Sequence, residues 1–217
     1  MFNLADCKYY VDLHVHTRRY SPCAELLDPE LLVNRLRYSR LDGIVVTEHD
    51  NLWSREEIRE LNAGLRGKRF YRGVEVSSSL GHFVVIGLDD LDGIEPGVSI
   101  DRLVQGARKS RAAVILVHNH LSNYTADSHF NVQSIPYGID AIEVASTITF
   151  GANQLKAESL AKDKGWSQVA GSDAHCIDRV GHTFTAFPEL PADEKTLAKA
   201  ICMGMGVPLR ADDSVGS

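Results

Sequence analysis

A short apolar stretch near the N-terminus, VDLHVHT at residues 11–17, restricts what this chain can fold into. Its apolar and β-branched residues predict a β-strand, and side chains two positions apart on a strand point to the same face. The imidazoles of His14 and His16 would therefore converge, which suits a divalent metal ion. Two half-buried strand histidines without a metal would show the same spacing. The choice between these interpretations depends on which residues the rest of the chain brings to the same place.

Further strand patterns alternate with helical patterns along the chain. Asp28 is placed to cap one helix, Ser54 and Glu57 have capping-box spacing at the start of a second, and Asp101 is the predicted N-cap of a third. The predicted helices span about 29–40, 55–64, 102–112, 152–164 and 192–203, and the later strands span 44–47, 70–76, 82–88, 113–117, 139–145, 167–170 and 183–187. Such alternation predicts βαβ units and a mainly parallel sheet, followed by a short tail.

Composition predicts one globular domain covering residues 1–217, because the chain is 44% hydrophobic and 24% charged. The net charge of −6, without a basic block, argues against non-specific binding to nucleic acid or to an anionic membrane. No apolar run approaches the ~18 residues of a membrane-spanning helix, and residues 1–6 do not look like a signal peptide. Four cysteines without a Cys-x-x-Cys pair predict reduced thiols. The expected location is therefore cytoplasmic.

Polar residues concentrate where the predicted strands end. His14, His16, His49, Glu75, His118, Asp173 and His175 all lie at or just after the C-terminal end of a strand. This end of the strands forms the active-site edge of a β/α barrel or an open α/β sheet. Taken alone, Glu75 could be a solvated strand end and Asp173 a helix N-cap. Their joint placement with the histidines favours a metal site.

Four motifs, in this order, resemble those of the PHP family, the polymerase and histidinol phosphatase domains. They are DLHVHT at 12–17, DGIVVTEHD at 42–50, GVEV at 73–76 and GSDAH at 171–175, with Val180 and Gly181 beyond. The resemblance covers essentially the whole chain. It implies an α/β fold of the PHP type, a distorted seven-stranded β/α barrel, that holds two or three divalent metal ions.

The resemblance also implies which residues bind metal. The implied ligands are His14, His16, Glu75 and Asp173 at a first ion, Glu75 as a bridge with His82 and His118 at a second, and His49 with His175 at a third. Asp173, Glu75 and His175 are the implied catalytic residues. Nitrogen and oxygen donors of this kind admit Mn²⁺, Fe²⁺ or Zn²⁺. Asp12 and Asp50, each beside a histidine, are candidates for fixing ring tautomers, with a solvated acid as the alternative.

Some positions depart from the family's pattern or leave a choice open. Ser21 stands where the family often has an Asp or His, and a neutral hydroxyl there predicts weaker binding of the third ion. Cys23 is predicted to pack beneath this loop rather than to bind metal as a thiolate. Either His118 or His120 could coordinate, and His118 is favoured because it directly follows the strand. His82 opens a strand, where a histidine is more often simply exposed.

The implied chemistry is hydrolysis of a phosphate ester by a hydroxide that bridges two metal ions, since close divalent ions acidify a shared water and neutralise charge in the transition state. The expected substrate is a small phosphorylated metabolite or a nucleotide, short oligonucleotides included. The candidate phosphate-binding residues are Arg18, Arg19, Arg179 and His182, which flank the ligand loops. Residues 122–136, predicted to form a polar loop over the site, would carry specificity.

Two other functional classes remain open from the sequence. The first is a metal-dependent amidohydrolase, because the same hydroxide could attack a carbonyl carbon. The second is a non-catalytic PHP module of a replication or repair assembly. The nearly complete ligand set ranks the phosphoesterase first, because a purely structural module has no need of it.

Overall fold

The computed structural model describes residues 4–117 and 138–214. The strands are β1 Tyr9–Val15, β2 Gly43–Val46, β3 Arg69–Ser78, β4 Gly81–Ile86, β5 Ala113–Leu116, β6 Ala141–Ala145, β7 Ser167–Ala170, β8 Thr183–Phe187 and β9 Val207–Arg210. The helices are α1 Pro29–Tyr38, α2 Arg55–Asn62, α3 Ile100–Ser110, α4 Ala152–Lys164 and α5 Glu194–Cys202. No helix within the described residues is both long and apolar enough to cross a membrane.

All nine strands belong to one sheet, in the order β7-β6-β5-β4-β3-β2-β1-β8-β9. The sheet curls until its ends approach each other. The Thr185 hydroxyl on β8 donates to the Ala170 carbonyl on β7 at 2.9 Å and accepts from the Ala170 amide at 2.8 Å. The result is a nearly closed barrel, which confirms the predicted barrel-type α/β fold, with nine strands in the described residues instead of seven.

The prediction of a mainly parallel sheet is wrong. Within the described residues the parallel pairs are β1–β2, β2–β3, β5–β6 and β6–β7, and the antiparallel pairs are β1–β8, β3–β4, β4–β5 and β8–β9. Only Ser79 and Leu80 separate β3 from β4, which is too short for a parallel crossover. Strand β9 forms in the segment predicted to be a tail, where it pairs with β8.

Two of the three predicted helix N-caps are confirmed and one is wrong. The Asp28 carboxylate accepts from the Glu30 amide, and Ser54 with Glu57 forms the predicted capping box. The predicted cap at Asp101 is wrong, because Ser99 caps α3 and the helix begins at Ile100. Serine and aspartate are both good N-caps, so a sequence that offers both two positions apart does not identify the first helical residue.

Glu57 connects α2 to the loop after β1. Its carboxylate accepts hydrogen bonds from the Ser54 amide at 2.9 Å, from the Tyr20 hydroxyl at 2.7 Å and from Arg19 at 3.1 Å. Burial opposes ionisation, but these hydrogen bonds lower the pKa of Glu57 to about 2. The stability from the charged form is therefore complete above the unfolded pKa of about 4.3 and is lost as the pH falls through about 2.

We expect Glu57→Gln to lower the free energy of unfolding at pH 7 by about 1–2 kcal/mol, because it weakens the capping box and both loop contacts. Urea unfolding at pH 7 and pH 3 measures this, and the deficit should shrink at pH 3. Glu56→Gln is the matched control, since Glu56 contacts only Arg59 on the helix surface among the described residues. A Glu57 variant with the parent's stability at pH 7 would contradict this account.

The barrel interior is apolar at one end. Side chains of the same parity on β2, β3, β4 and β8, among them Val45, Tyr71, Ile86 and Phe187, pack with Leu197 of α5. Helix α5 thus covers the end of the barrel where the parallel strands begin. Because strand side chains alternate with a period of two, the same interior faces of β2 and β3 continue towards His49 and Glu75 at the opposite end.

Candidate metal centre

The polar end of the barrel interior holds the histidines and acids that the sequence singles out. His49 lies four residues after Val45 and Glu75 four residues after Tyr71, so each keeps the inward parity of its strand. An isolated bridge pairs His49 with Glu75 beyond the end of β2. The strands therefore deliver these side chains to one buried place.

Strand β1 needs an irregularity to do the same. Leu13 packs in the interior apolar cluster, yet His14 directly after it reaches the interior acids, so two consecutive side chains point inwards. The pairing of β1 with β2 shifts register between Asp12 and Val15. A bulge of this type re-aims the side chains that follow it, and bulges are common beside functional sites. The shift turns both His14 and His16 into the barrel.

Glu75 is the centre of the cluster. Its Oε2 lies 3.4 Å from His14 Nε2, 3.1 Å from His16 Nε2 and 3.1 Å from His49 Nδ1, and its Oε1 lies 2.9 Å from His82 Nδ1. The carboxylate is fully buried. One side chain thus faces four imidazoles, including that of His82, which the sequence left as the least secure ligand.

Asp173 supplies a second carboxylate beside the same rings. Its Oδ1 lies 3.5 Å from His14 Nε2, 3.4 Å from His16 Nε2 and 3.7 Å from His175 Nδ1. Asp173 adopts a left-handed backbone conformation with φ of 53°, which short polar residues tolerate better than most. A Cβ on Gly171 would lie 2.6 Å from His14 Cβ, so only glycine allows this segment to approach β1.

Sequence reasoning missed a third acid, Glu143 on β6. Its Oε2 lies 3.0 Å from His14 Nδ1, and since a carboxylate accepts, the Nδ1–H donates to it and Nε2 faces the cluster. Burial opposes protonation of His14, but Asp173, Glu143 and Glu75 together raise its pKa well above the usual value. An acid inside a strand of otherwise apolar residues, IEVA at 142–145, was the available signal.

Three of the imidazole rings stack on one another towards the rim of the barrel. His16 stacks on His49 with centroids 4.5 Å apart and on His175 at 4.4 Å. Buried Ser21 accepts from the His49 amide at 3.1 Å and lies 3.4 Å from His16 Nδ1, so its hydroxyl supports the rings. The prediction that Cys23 packs beneath this loop is wrong, because Cys23 is exposed. It follows Pro22 in a one-turn helix whose only buried side chain is that of Ala24.

The arrangement fits divalent cations. Donors bound to one ion at about 2.1 Å in tetrahedral geometry lie about 3.4 Å apart, and the contacts of Glu75 and Asp173 with His14 and His16 span 3.1–3.5 Å. Three sets of side chains have donor atoms mutually within 4.8 Å: His14 with His16 and Glu75, His16 with His49 and His175, and His49 with Glu75 and His82. Seven of the eight candidate ligands therefore meet, while His118, together with His120 and residues 122–136, lies outside the described residues.

The candidate phosphate-binding residues are not drawn into the cluster. Arg18 pairs with Asp28 and lines a groove of 620 Å³ between α1 and α2, with Arg19 beside it. Arg179 and His182 are exposed after the Asp173 segment, and neither side chain makes a hydrogen bond or ion pair within the described part of the chain. Their roles remain predictions.

Asp12 and Asp50 bind backbone amides instead of histidine rings in the described structure. The buried Asp12 carboxylate accepts from the amides of His14, Ser172 and Gly181, and Asp50 accepts from the Ser77 amide at 2.7 Å. Both acids therefore fix the backbone around the candidate ligands, and the acid that contacts a histidine ring nitrogen from outside the cluster is Glu143.

Residues 151–205 match the family model PHP_C, described as PHP-associated. The fold resembles a two-domain protein from Bacteroides vulgatus ATCC 8482 that contains a predicted PHP-like metal-dependent phosphoesterase, with a TM-score of 0.69, 20% identity and coverage of 93% of this chain and 64% of that chain. The chain has the PHP-domain fold. The resemblance that the four motifs indicate is thereby confirmed.

Other structures with the PHP-type fold differ in their described activity. A lesion-specific endonuclease from Pyrococcus furiosus aligns with a TM-score of 0.67 and 17% identity over 93% of this chain and 57% of that chain. An amidohydrolase from Chromobacterium violaceum, with bound sulfate and no metal, aligns with a TM-score of 0.61 and 18% identity over 92% of this chain and 97% of that chain. This chain thus spans about three fifths of the endonuclease and of the Bacteroides protein. No curated protein matches the chain significantly.

Proposed function

We propose that this protein is a metal-dependent phosphoesterase that hydrolyses a small phosphorylated metabolite or a nucleotide. The observation that carries the proposal is Glu75, a buried carboxylate within 3.4 Å of four imidazole nitrogens from three different parts of the barrel. A buried set of this kind is costly without cations to bind it. Bound divalent ions supply Lewis acidity, which polarises a phosphoryl oxygen and makes a water molecule a better nucleophile at neutral pH.

The chain's own residues have three further roles: they hold the ions, orient a histidine ring and face the substrate. Glu75, Asp173 and the histidines would hold the ions, with Glu75 as a shared ligand, and Glu143 holds the His14 ring so that Nε2 faces inwards. His14 and His16 are buried, whereas the side chains of His49, His82 and His175 are 30–34% exposed. We assign the substrate side of the centre to these half-exposed rings, because a phosphate must arrive from solvent.

A phosphate-ester panel combined with metal analysis tests the proposal. After reconstitution with Mn²⁺, Fe²⁺ or Zn²⁺, we expect at least two ions per chain and hydrolysis of phosphate monoesters or diesters. The panel includes p-nitrophenyl phosphate, its bis ester, mononucleotides and short oligonucleotides. The oligonucleotides are included because an endonuclease that shares the fold was solved with a 27-mer duplex carrying an abasic lesion. Metal content below about one ion per chain would contradict the proposal.

An amidohydrolase is the second candidate, favoured by the Chromobacterium violaceum structure of that description. The same centre could activate water towards a carbonyl carbon. Turnover of amides or lactones without turnover of any phosphate ester, at full metal content, would establish this alternative. Full metal content without any turnover would favour a non-catalytic module.

A further inference from the structure

Strand β1 changes its neighbour halfway along, and this creates a gap in the barrel. At Val11 it pairs antiparallel with Thr185 of β8, but at Val15 it pairs with Ala174 of the segment 171–175 that carries Asp173 and His175. We call residues 171–175 the ligand segment. Strand β8 and the ligand segment therefore pair with different parts of β1, and no backbone ladder joins β7 to β8 within the described residues.

Buried threonine hydroxyls occupy the place of that missing ladder. Thr185 Oγ1 accepts from the Ala170 amide at 2.8 Å and donates to the Ala170 carbonyl at 2.9 Å, so one hydroxyl satisfies both backbone groups. Thr183 Oγ1 donates to the Gly171 carbonyl at 2.7 Å. Both threonines are at most 1% exposed. Without these hydroxyls, the backbone groups at the start of the ligand segment would lose buried partners.

The contact of the ligand segment with β1 leaves little room for displacement. The Gly171 backbone lies so close to His14 that a Cβ would overlap both its Cβ and its amide nitrogen, at 2.6 and 2.7 Å. Two residues further, Asp173 lies 3.5 Å from His14 Nε2. A shift of a few tenths of an ångström at Ala170 or Gly171 would therefore reach the carboxylate that faces both β1 histidines.

We propose that Thr183 and Thr185 are positioning residues for the metal centre. Their hydroxyls close the barrel beside the ligand segment and fix Asp173 and His175 against His14 and His16. This inference rests on the proposed metal centre, but it predicts a property of the metal-free protein as well, namely protection of the Ala170 amide by Thr185.

Thr185→Val tests the inference, because valine keeps the shape of threonine and removes the hydroxyl. We expect its Mn²⁺ and Zn²⁺ dissociation constants to rise about tenfold or more, and the Ala170 amide of the metal-free protein to exchange with deuterium at least tenfold faster. Thr185→Ser should restore both properties to within about threefold. Calorimetric titration with each metal and hydrogen exchange provide the two measurements.

Tyr71→Phe is the matched control. It removes another buried hydroxyl, which donates to the Pro191 carbonyl at 2.8 Å at the opposite end of the barrel. We expect it to lower the melting temperature while leaving metal affinity and Ala170 exchange at the parent's values. Unchanged Ala170 exchange in Thr185→Val, or an equal loss of metal affinity in both variants, would overturn the inference. If the parent protein binds no metal, the proposed function is contradicted. Faster Ala170 exchange in Thr185→Val than in that metal-free parent would still show that Thr185 holds the ligand segment.

Discussion

Glu75→Gln is expected to leave a folded protein that has lost most of its metal ions and nearly all hydrolytic activity. The carboxylate faces four histidine nitrogens, and an amide offers one acceptor oxygen while turning an NH₂ donor towards the remaining rings. Under the proposed function two ions share this carboxylate, so its loss should remove more than one ion. We expect kcat to fall by about 10³-fold or more and metal content to fall below half of the parent value.

Glu48→Gln is the matched control for this substitution. Glu48 is equally buried and lies close by in space, since the Glu75 amide donates to its carbonyl at 3.0 Å, but its carboxylate accepts from Thr17 and from the Trp53 ring nitrogen instead of facing the histidines. This variant should be less stable than the parent yet retain its metal. Equal metal content in the Glu75 variant and the parent would show that Glu75 is not a ligand.

Asp173→Asn is expected to remove nearly all activity without disturbing the fold. The substitution keeps the volume of the side chain and removes the negative charge that lies 3.4–3.5 Å from His14 and His16. Asparagine also tolerates the left-handed conformation at φ 53°, so no backbone strain is added. We expect kcat to fall by about 10²–10³-fold, with a melting temperature within about 3 °C of the parent's.

Asp173→Ala, compared with Asp173→Asn, separates the effect of losing the carboxylate from the effect of the left-handed backbone conformation. Alanine lacks the ligand and is also less comfortable at positive φ, so this variant should lose the same activity and additionally lose stability. Metal analysis, kinetics and thermal unfolding of both variants provide the comparison. An Asp173→Asn variant with the parent's kcat would refute the assignment of Asp173 to the centre.

The period-two pattern of strands is what made the centre predictable. His14, His16, His49, Glu75, Asp173 and His175 all follow apolar strand patterns, and strands of a barrel bring such positions to one end. The family resemblance added His82, which periodicity alone would have left exposed. Both signals depend on short stretches of sequence. The placement of these residues was therefore predicted correctly even though the predicted strand directions were partly wrong.

Contacts between distant segments were not predictable in the same way. Glu143 meets His14 across 129 positions, and Asp12 meets Ser172 across 160. Neither pair has a spacing that a sequence window can detect. Strand β9 was missed because it is four residues long, contains Pro208 and is recognised only by its pairing with β8. The bulge in β1 likewise depends on the strand beside it.

The packing of α5 against Tyr71, Phe187 and their neighbours restricts access to the buried end of the barrel interior. With that end filled by packed side chains, the buried carboxylates in the described part of the chain are approached from the opposite end, where His49, His82 and His175 are partly exposed. Under the proposed function, ions, substrate and water would enter through this opening, and the released phosphate would have to leave through it before the next substrate could reach the centre. Substrate and product would then compete for the same passage.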